Sequence, residues 1–91
     1  MDNWKVYLVE CCDGSYYCGI TNKQIQDRVK AHNNGTGSKY TRGRRPVKLF
    51  NSINGLSRSD AARLEYRIKK LPKDKKLELF AFPDQTKANL L

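Results

Sequence analysis

Asp13-Gly14 lies between two runs rich in β-branched and aromatic residues, VYLVECC and SYYCGIT. Glycine supplies the positive φ that a tight turn needs, so residues 4–20 read as a β-hairpin. Its register constrains the fold more than any other feature, because a slip of one residue sends every side chain to the opposite face. A two-residue Asp13-Gly14 turn would pair Cys12 with Ser15. A three-residue Cys12-Asp13-Gly14 loop, with Gly14 left-handed, would pair Cys11 with Ser15. In the second register Val6, Leu8, Tyr16, Cys18 and Ile20 share one largely apolar face. Tyr7, Val9, Tyr17 and Gly19 share the other, with Tyr7 opposite the bare backbone of Gly19. In the first register the two tyrosines part company. The apolar face favours the three-residue loop.

Downstream, Thr21 or Asn22 suits a helix N-cap, and a helix can run to about Asn33 before Gly35 ends it. Ile25 and Val29 form an apolar stripe, with Arg28 and His32 one turn apart directly beside it. A cation and an imidazole at the border of a buried face are a poor way to build a core. VKLFNSI (47–53) alternates as a third strand, and Asn54-Gly55 is expected to break it. Ser57 with Asp60, or Ser59 alone, opens the next helix. That helix covers about 59–71, with Ala61, Leu64, Ile68 and Leu71 as its buried stripe and Glu65 leaning inward. Pro72 stops it. KDKKLELF (73–80) is expected to form a short last helix, and residues 81–91 form a tail without a clear period, expected to be partly disordered.

Ninety-one residues fit one domain, taken as residues 1–80 with the tail behind it. No apolar run approaches a membrane span, so no membrane role is expected. Met1-Asp2-Asn3-Trp4 lacks the basic start and apolar stretch of a signal peptide, which points to a cytoplasmic protein. Three cysteines, two of them adjacent, and one histidine suit reduced thiols better than a zinc site. Eighteen Lys and Arg against nine Asp and Glu leave a net charge of +9, which attracts polyanions. The charge is concentrated: KYTRGRRPVK (39–48) has five cations and no acid. Lys39, Tyr40, Arg42, Arg44 and Arg45 there suit phosphate and base contacts, and nucleic acid is the expected partner.

Five elements in order resemble the GIY-YIG nuclease superfamily, and within it the small stand-alone bacterial branch. Lys5-Val6-Tyr7 and Tyr17-Cys18-Gly19 match the two signature triplets, with Lys5 where Gly is usual and Cys18 where Ile is usual. Arg28 and His32 match the R-x-x-x-H of the first helix. HNNGTGSKYTRGRRPV is similar to the loop that follows it. SRSDAARLEYRIKKL matches the helix that carries the metal-binding glutamate, here Glu65. The likeness covers residues 4–80. It implies an α+β fold: a three-stranded antiparallel sheet with about three helices, in the order β-β-α-β-α-α.

The resemblance also implies a metal-dependent endonuclease acting on DNA, with structure-selective cleavage left open, whose catalytic residues are Tyr7, Tyr17, Arg28, His32 and Glu65. Tyr7 would serve as base or proton relay, its pKa lowered by Arg28 and a divalent metal. Arg28 would bind phosphoryl oxygens, and Tyr17 would position the phosphate or the water. His32 would pass the proton on or hold Tyr7. Glu65 would hold one Mg²⁺ or Mn²⁺. Gly19 joins the basic loop as a nucleic-acid contact. Both phenols are expected to point outward into one solvent-reachable pocket. Each residue also has a structural use: strand aromatics for the tyrosines, a helix C-terminal cation for His32, an ion pair for Arg28, and an i, i+4 pair with Lys69 for Glu65. A nucleic-acid-binding module without turnover is the main alternative. A catalytic subunit that needs a protein partner for substrate recognition is another.

Overall fold

The hairpin closes through the three-residue loop. In the computed structural model, which describes residues 2–90, Cys11 N–H donates to Ser15 O at 2.8 Å and Gly14 N–H donates to Cys11 O at 3.0 Å. Gly14 has φ +82°, the left-handed region where a side chain would be strained. Strands β1 (Trp4–Glu10) and β2 (Tyr16–Thr21) then pair with Tyr7 opposite Gly19 and Val9 opposite Tyr17. Helix α1 follows (Ile25–Asn33), then a short α2 (Lys39–Arg42), then β3 (Lys48–Leu56). Helices α3 (Arg58–Lys69), α4 (Lys73–Ala81) and α5 (Pro83–Leu90) complete the chain. The sheet is antiparallel with strand order β2-β1-β3, so β1 is central.

The expected α+β architecture is present, with two helices added to the expected order. The first is α2, inside the basic segment read as loop. Ser38 caps it, its Oγ accepting from Thr41 N–H at 3.1 Å. The second is α5, in the segment expected to be an irregular tail. It packs against β3 and α4, and Thr86 Oγ1 donates to Leu79 O at 2.6 Å. Helix α1 begins later than expected, because Thr21 is still in the ladder opposite Lys5. Its Oγ1 accepts from Lys23 N–H at 3.1 Å and starts no helix. Asn54-Gly55 does not break β3. The strand absorbs them as a bulge: β1 advances from Trp4 to Val6 while β3 advances from Leu56 to Ile53, with Gly55 at φ +71°.

The two faces of the sheet carry separate cores, as the register requires. On one, Val6, Leu8 and Cys18 pack with Ala61, Leu64 and Ile68 of α3 and Phe80 of α4. Full burial of a residue such as Leu64 stabilises the fold by about 1.5–3 kcal/mol. Ser57 sets the start of α3, its Oγ accepting from Asp60 N–H at 3.1 Å. On the other face, Tyr7, Val9, Cys11 and Val47 are buried, with Ile25 and Val29 of α1 laid over them. No helix among the described residues is long and apolar enough to cross a membrane. All three cysteines are free, Cys11 and Cys18 in the cores and Cys12 at the surface.

Candidate active site

Tyr7 projects from the middle of the central strand toward α1. Opposite it, Gly19 leaves the space that the phenol fills: a Cβ at Gly19 would come within 2.6 Å of Tyr7 Cζ. Arg28 and His32, one turn apart on α1, both reach the phenol oxygen. Arg28 Nε–H donates to Tyr7 Oη at 3.2 Å, and His32 Nε2 lies 2.8 Å from the same oxygen. Arg28 Nη2 also donates to Gly37 O at 2.9 Å. The far side of the imidazole is held by α2, with His32 Nδ1 2.7 Å from Thr41 Oγ1. Tyr7, His32 and Thr41 are all fully buried.

This arrangement corrects one expectation. Tyr7 lies on the face opposite α3, as the register predicts, but it is not solvent-reachable, because α1 covers that face. Burial pushes its pKa up to about 12, and the Arg28 hydrogen bond and charge offset this only in part. Arg28 alone does not give the lowering, because desolvation outweighs the guanidinium. Burial, reinforced by the charge of Arg28, pushes His32 down to about 4, so the imidazole is neutral near pH 7. The resting site therefore holds a protonated phenol against an uncharged imidazole.

Tyr17 is half-buried at the edge of this cluster. Its ring lies 6.5 Å from the Tyr7 ring and 5.4 Å from that of His32, and stacks on Tyr40 at 5.8 Å. Arg44 Cζ sits 4.0 Å over the Tyr40 ring, and Lys69 Nζ sits 5.3 Å over the Tyr17 ring. Glu65 is tied to the group only through Lys69, whose Nζ lies 3.5 Å from Glu65 Oε2. It makes no hydrogen bond or ion pair with Tyr7, Arg28 or His32. Its nearness to β2 shows at Cys18, whose thiol is pushed up to about 12 by burial first and by the Glu65 charge second.

The basic segment divides into two uses. Arg44 is committed to the fold: Nε donates to Asp13 Oδ2 at 3.1 Å and Nη1 to Tyr40 O at 2.8 Å. Arg42 and Arg45 are exposed and bond only backbone carbonyls, Arg42 to Gly35 O and Arg45 to Arg42 O and Asn33 O. Together with Asn33, Gly43 and Pro46 they line an open cleft of about 390 Å³ that contains no acid. Lys39 and Tyr40 are exposed. Gly19, expected to meet nucleic acid, is buried and seats the Tyr7 ring. Two residues of the cluster escaped the sequence reading. Thr41 was hidden inside the charge run, and Gly37 packs so tightly on His32 that a Cβ there would meet the ring and approach its Cα to 2.7 Å. No periodic signal marks either one.

A family model for the GIY-YIG catalytic domain matches residues 3–78. The chain belongs to the GIY-YIG family. This is a nuclease family, so the domain is of nuclease type and its class of substrate is nucleic acid. Among relatives, a UPF0213 protein of Halobacterium salinarum is 52% identical over 75 residues, 82% of this chain and 96% of the relative. A UPF0213 protein of Nitratidesulfovibrio vulgaris is 47% identical over 78 residues, 86% of this chain and 70% of the relative. The solution NMR structure of a UPF0213 protein from Bacillus halodurans is 38% identical, with a TM-score of 0.54 over 97% of this chain and 95% of that one. That of an E. faecalis protein is also 38% identical, with a TM-score of 0.56 over 90% and 91%. In this GIY-YIG domain the two triplets stand side by side on β1 and β2, and the glycine of the second is the floor on which the tyrosine of the first lies.

Proposed function

We propose that this GIY-YIG domain is a metal-dependent endonuclease that hydrolyses phosphodiester bonds in DNA. The supporting observation is that Tyr7 Oη bridges Arg28 Nε and His32 Nε2. A phenol with a pKa near 12 is no base by itself at neutral pH. Paired with His32 it becomes a relay. As water attacks phosphorus, its proton passes to Tyr7 Oη while the Tyr7 proton passes to His32 Nε2. The imidazolium so formed keeps its Nδ1–H on Thr41. The charge of Arg28 opposes that imidazolium in the resting site, and the negative charge of an entering phosphodiester offsets it. The N–H groups of Arg28 not spent on Tyr7 and Gly37 face the phosphoryl oxygens, a contribution of about 3 kcal/mol for one such donor. Tyr7 is buried, so the packing around it must open for water to reach Oη.

Glu65 is the residue that would hold the metal. Among the described residues no group of three or more His, Cys, Asp or Glu forms a closed metal cage. A half-buried lone carboxylate instead suits Mg²⁺ or Mn²⁺ that keeps most of its water. Lys69 pairs only Glu65 Oε2, which leaves Oε1 for the cation. When bound, such a cation supplies neutralisation of phosphate charge and a more acidic water. Arg42, Arg45 and Lys39 take the flanking phosphates, and Tyr40 offers a face to a base.

A second reading, binding without turnover, draws on the same burial and protonation of Tyr7. Cleavage of labelled duplex, single-stranded, flap and four-way DNA with Mg²⁺ or Mn²⁺ separates the two. The nuclease cuts at least one substrate, loses product in Glu65→Ala and Tyr7→Phe, and keeps its affinity in Glu65→Ala. Identical residual nicking in all three proteins would refute the nuclease reading.

A further inference from the structure

We infer that Thr41 is a positioning residue for His32: its hydroxyl accepts a hydrogen bond from Nδ1–H and so holds the ring in the tautomer whose Nε2 accepts the proton of Tyr7. The inference follows from hydrogen-bond accounting at one buried imidazole. His32 is fully buried, and its two ring nitrogens face two hydroxyls, Tyr7 Oη at 2.8 Å and Thr41 Oγ1 at 2.7 Å. A neutral ring carries one N–H, so two arrangements exist.

If the proton were on Nε2, Tyr7 Oη would accept from both His32 and Arg28 Nε. Its own O–H would then have no acceptor, since these are its two partners. A fully buried donor without an acceptor is strongly disfavoured. If the proton is on Nδ1, every donor is used. Arg28 Nε–H donates to Tyr7 Oη, and Tyr7 O–H donates to His32 Nε2. His32 Nδ1–H donates to Thr41 Oγ1, and the Thr41 hydroxyl continues to Ser38 Oγ at 2.9 Å or Ser38 O at 3.4 Å. Ser38 Oγ is itself fixed by Thr41 N–H. The cap of a four-residue helix thus orients one hydroxyl, and that hydroxyl accepts from the Nδ1–H of the tautomer that Tyr7 and Arg28 require. No buried side-chain polar atom in the cluster is left without a partner.

The consequence for cleavage rests on the nuclease reading above, whereas the tautomer does not. The chain has a single histidine, so ¹⁵N-detected imidazole NMR reads His32 without assignment. The wild-type ring should show a protonated Nδ1 and an unprotonated Nε2. Thr41→Val keeps the shape and removes the acceptor of Nδ1–H, so the Nδ1–H resonance should lose its hydrogen-bonded shift and exchange faster with water. Thr41→Ser should restore the wild-type spectrum. Cleavage should fall by about 100-fold or more in Thr41→Val, the scale of a lost acid–base group, and recover in Thr41→Ser. A wild-type spectrum with Nε2 protonated overturns the inference, as does a Thr41→Val spectrum unchanged from wild type. Were Thr41→Val to fail to fold, the wild-type spectrum alone would still decide the tautomer, and Thr41→Ser would still have to match it. A wild-type protein with the expected tautomer that cuts no DNA would sink the nuclease reading and leave the assignment standing.

Discussion

Tyr7 Oη and His32 Nε2 lie 2.8 Å apart with both side chains fully shielded from water. One comes from the central strand and the other from the helix laid over it, so the contact is part of the packing between sheet and helix. The same burial that makes the phenol a weak acid makes the imidazole a weak base. Neither titrates near pH 7, and the proton between them moves only when charge arrives from outside.

Tyr7→Phe should therefore do two things. Removing Oη leaves His32 Nε2 and Arg28 Nε without their partner, which is expected to cost about 1–3 kcal/mol of stability. Cleavage should fall by about 10²–10⁴-fold through the broken relay. Urea denaturation measures the first effect and single-turnover cleavage the second. A fully stable variant with wild-type cleavage would show that the phenol hydroxyl does neither.

Gly19→Ala and Gly37→Ala should damage the site without removing a polar group. The first places a methyl against Tyr7 and the second places one against His32. Neither ring has room to retreat, and overpacking of this kind costs about 1–3 kcal/mol. Both variants should melt earlier and cut more slowly than wild type. Thermal melts and cleavage rates that match wild type would mean that the cluster yields more easily than its packing indicates.

The three arginines of the basic segment should behave differently. Arg42→Gln and Arg45→Gln each remove a cation from the acid-free cleft, and each should reduce the salt dependence of DNA binding by about one phosphate contact. Arg44→Gln should leave that slope nearly unchanged, because Arg44 already pairs with Asp13 and covers Tyr40. Its effect should be on cleavage, through a looser Tyr40. Fluorescence anisotropy over a salt series tests all three. Equal slopes for all three variants would contradict the division.

Stability should fall with pH on the acid side because of His32. Its pKa is depressed in the folded state, from 6.5 to about 4. Between those values the unfolded chain binds more protons than the folded one, so its stabilising effect is complete above about pH 6.5. It declines as the pH drops toward 4. Integrated over that window the loss is about 3 kcal/mol. Chemical denaturation at pH 7 and pH 4.5 measures it, and His32→Gln should show a shallower decline. A variant with the same decline would assign the acid sensitivity to carboxylates.

Much of this was legible in the sequence, for identifiable reasons. The hairpin register could be read because Val6, Leu8, Cys18 and Ile20 line up on one face in only one of the two turns. Arg28 and His32 could be read because they border an apolar stripe at helical spacing. The burial of Tyr7 could not, because alternation tells which face a residue occupies but not what covers that face. The cover includes α2, hidden because its four residues lie in a charge run. The late start of α1 was obscured by Thr21, which suits an N-cap as well as a strand end. Helix α5 was missed because Thr86 is its only buried residue among those described.

Helix α5 also reaches across to β3, where Lys87 Nζ donates to Asn54 O at 3.0 Å and Gly55 O at 3.1 Å. Those oxygens sit on the sheet's outer rim, where main-chain groups otherwise invite a foreign strand. The C-terminal segment therefore works as a latch on that rim. Expression fragments trimmed near residue 80 would unfasten it and favour self-association, even though every member of the Tyr7 cluster would still be encoded.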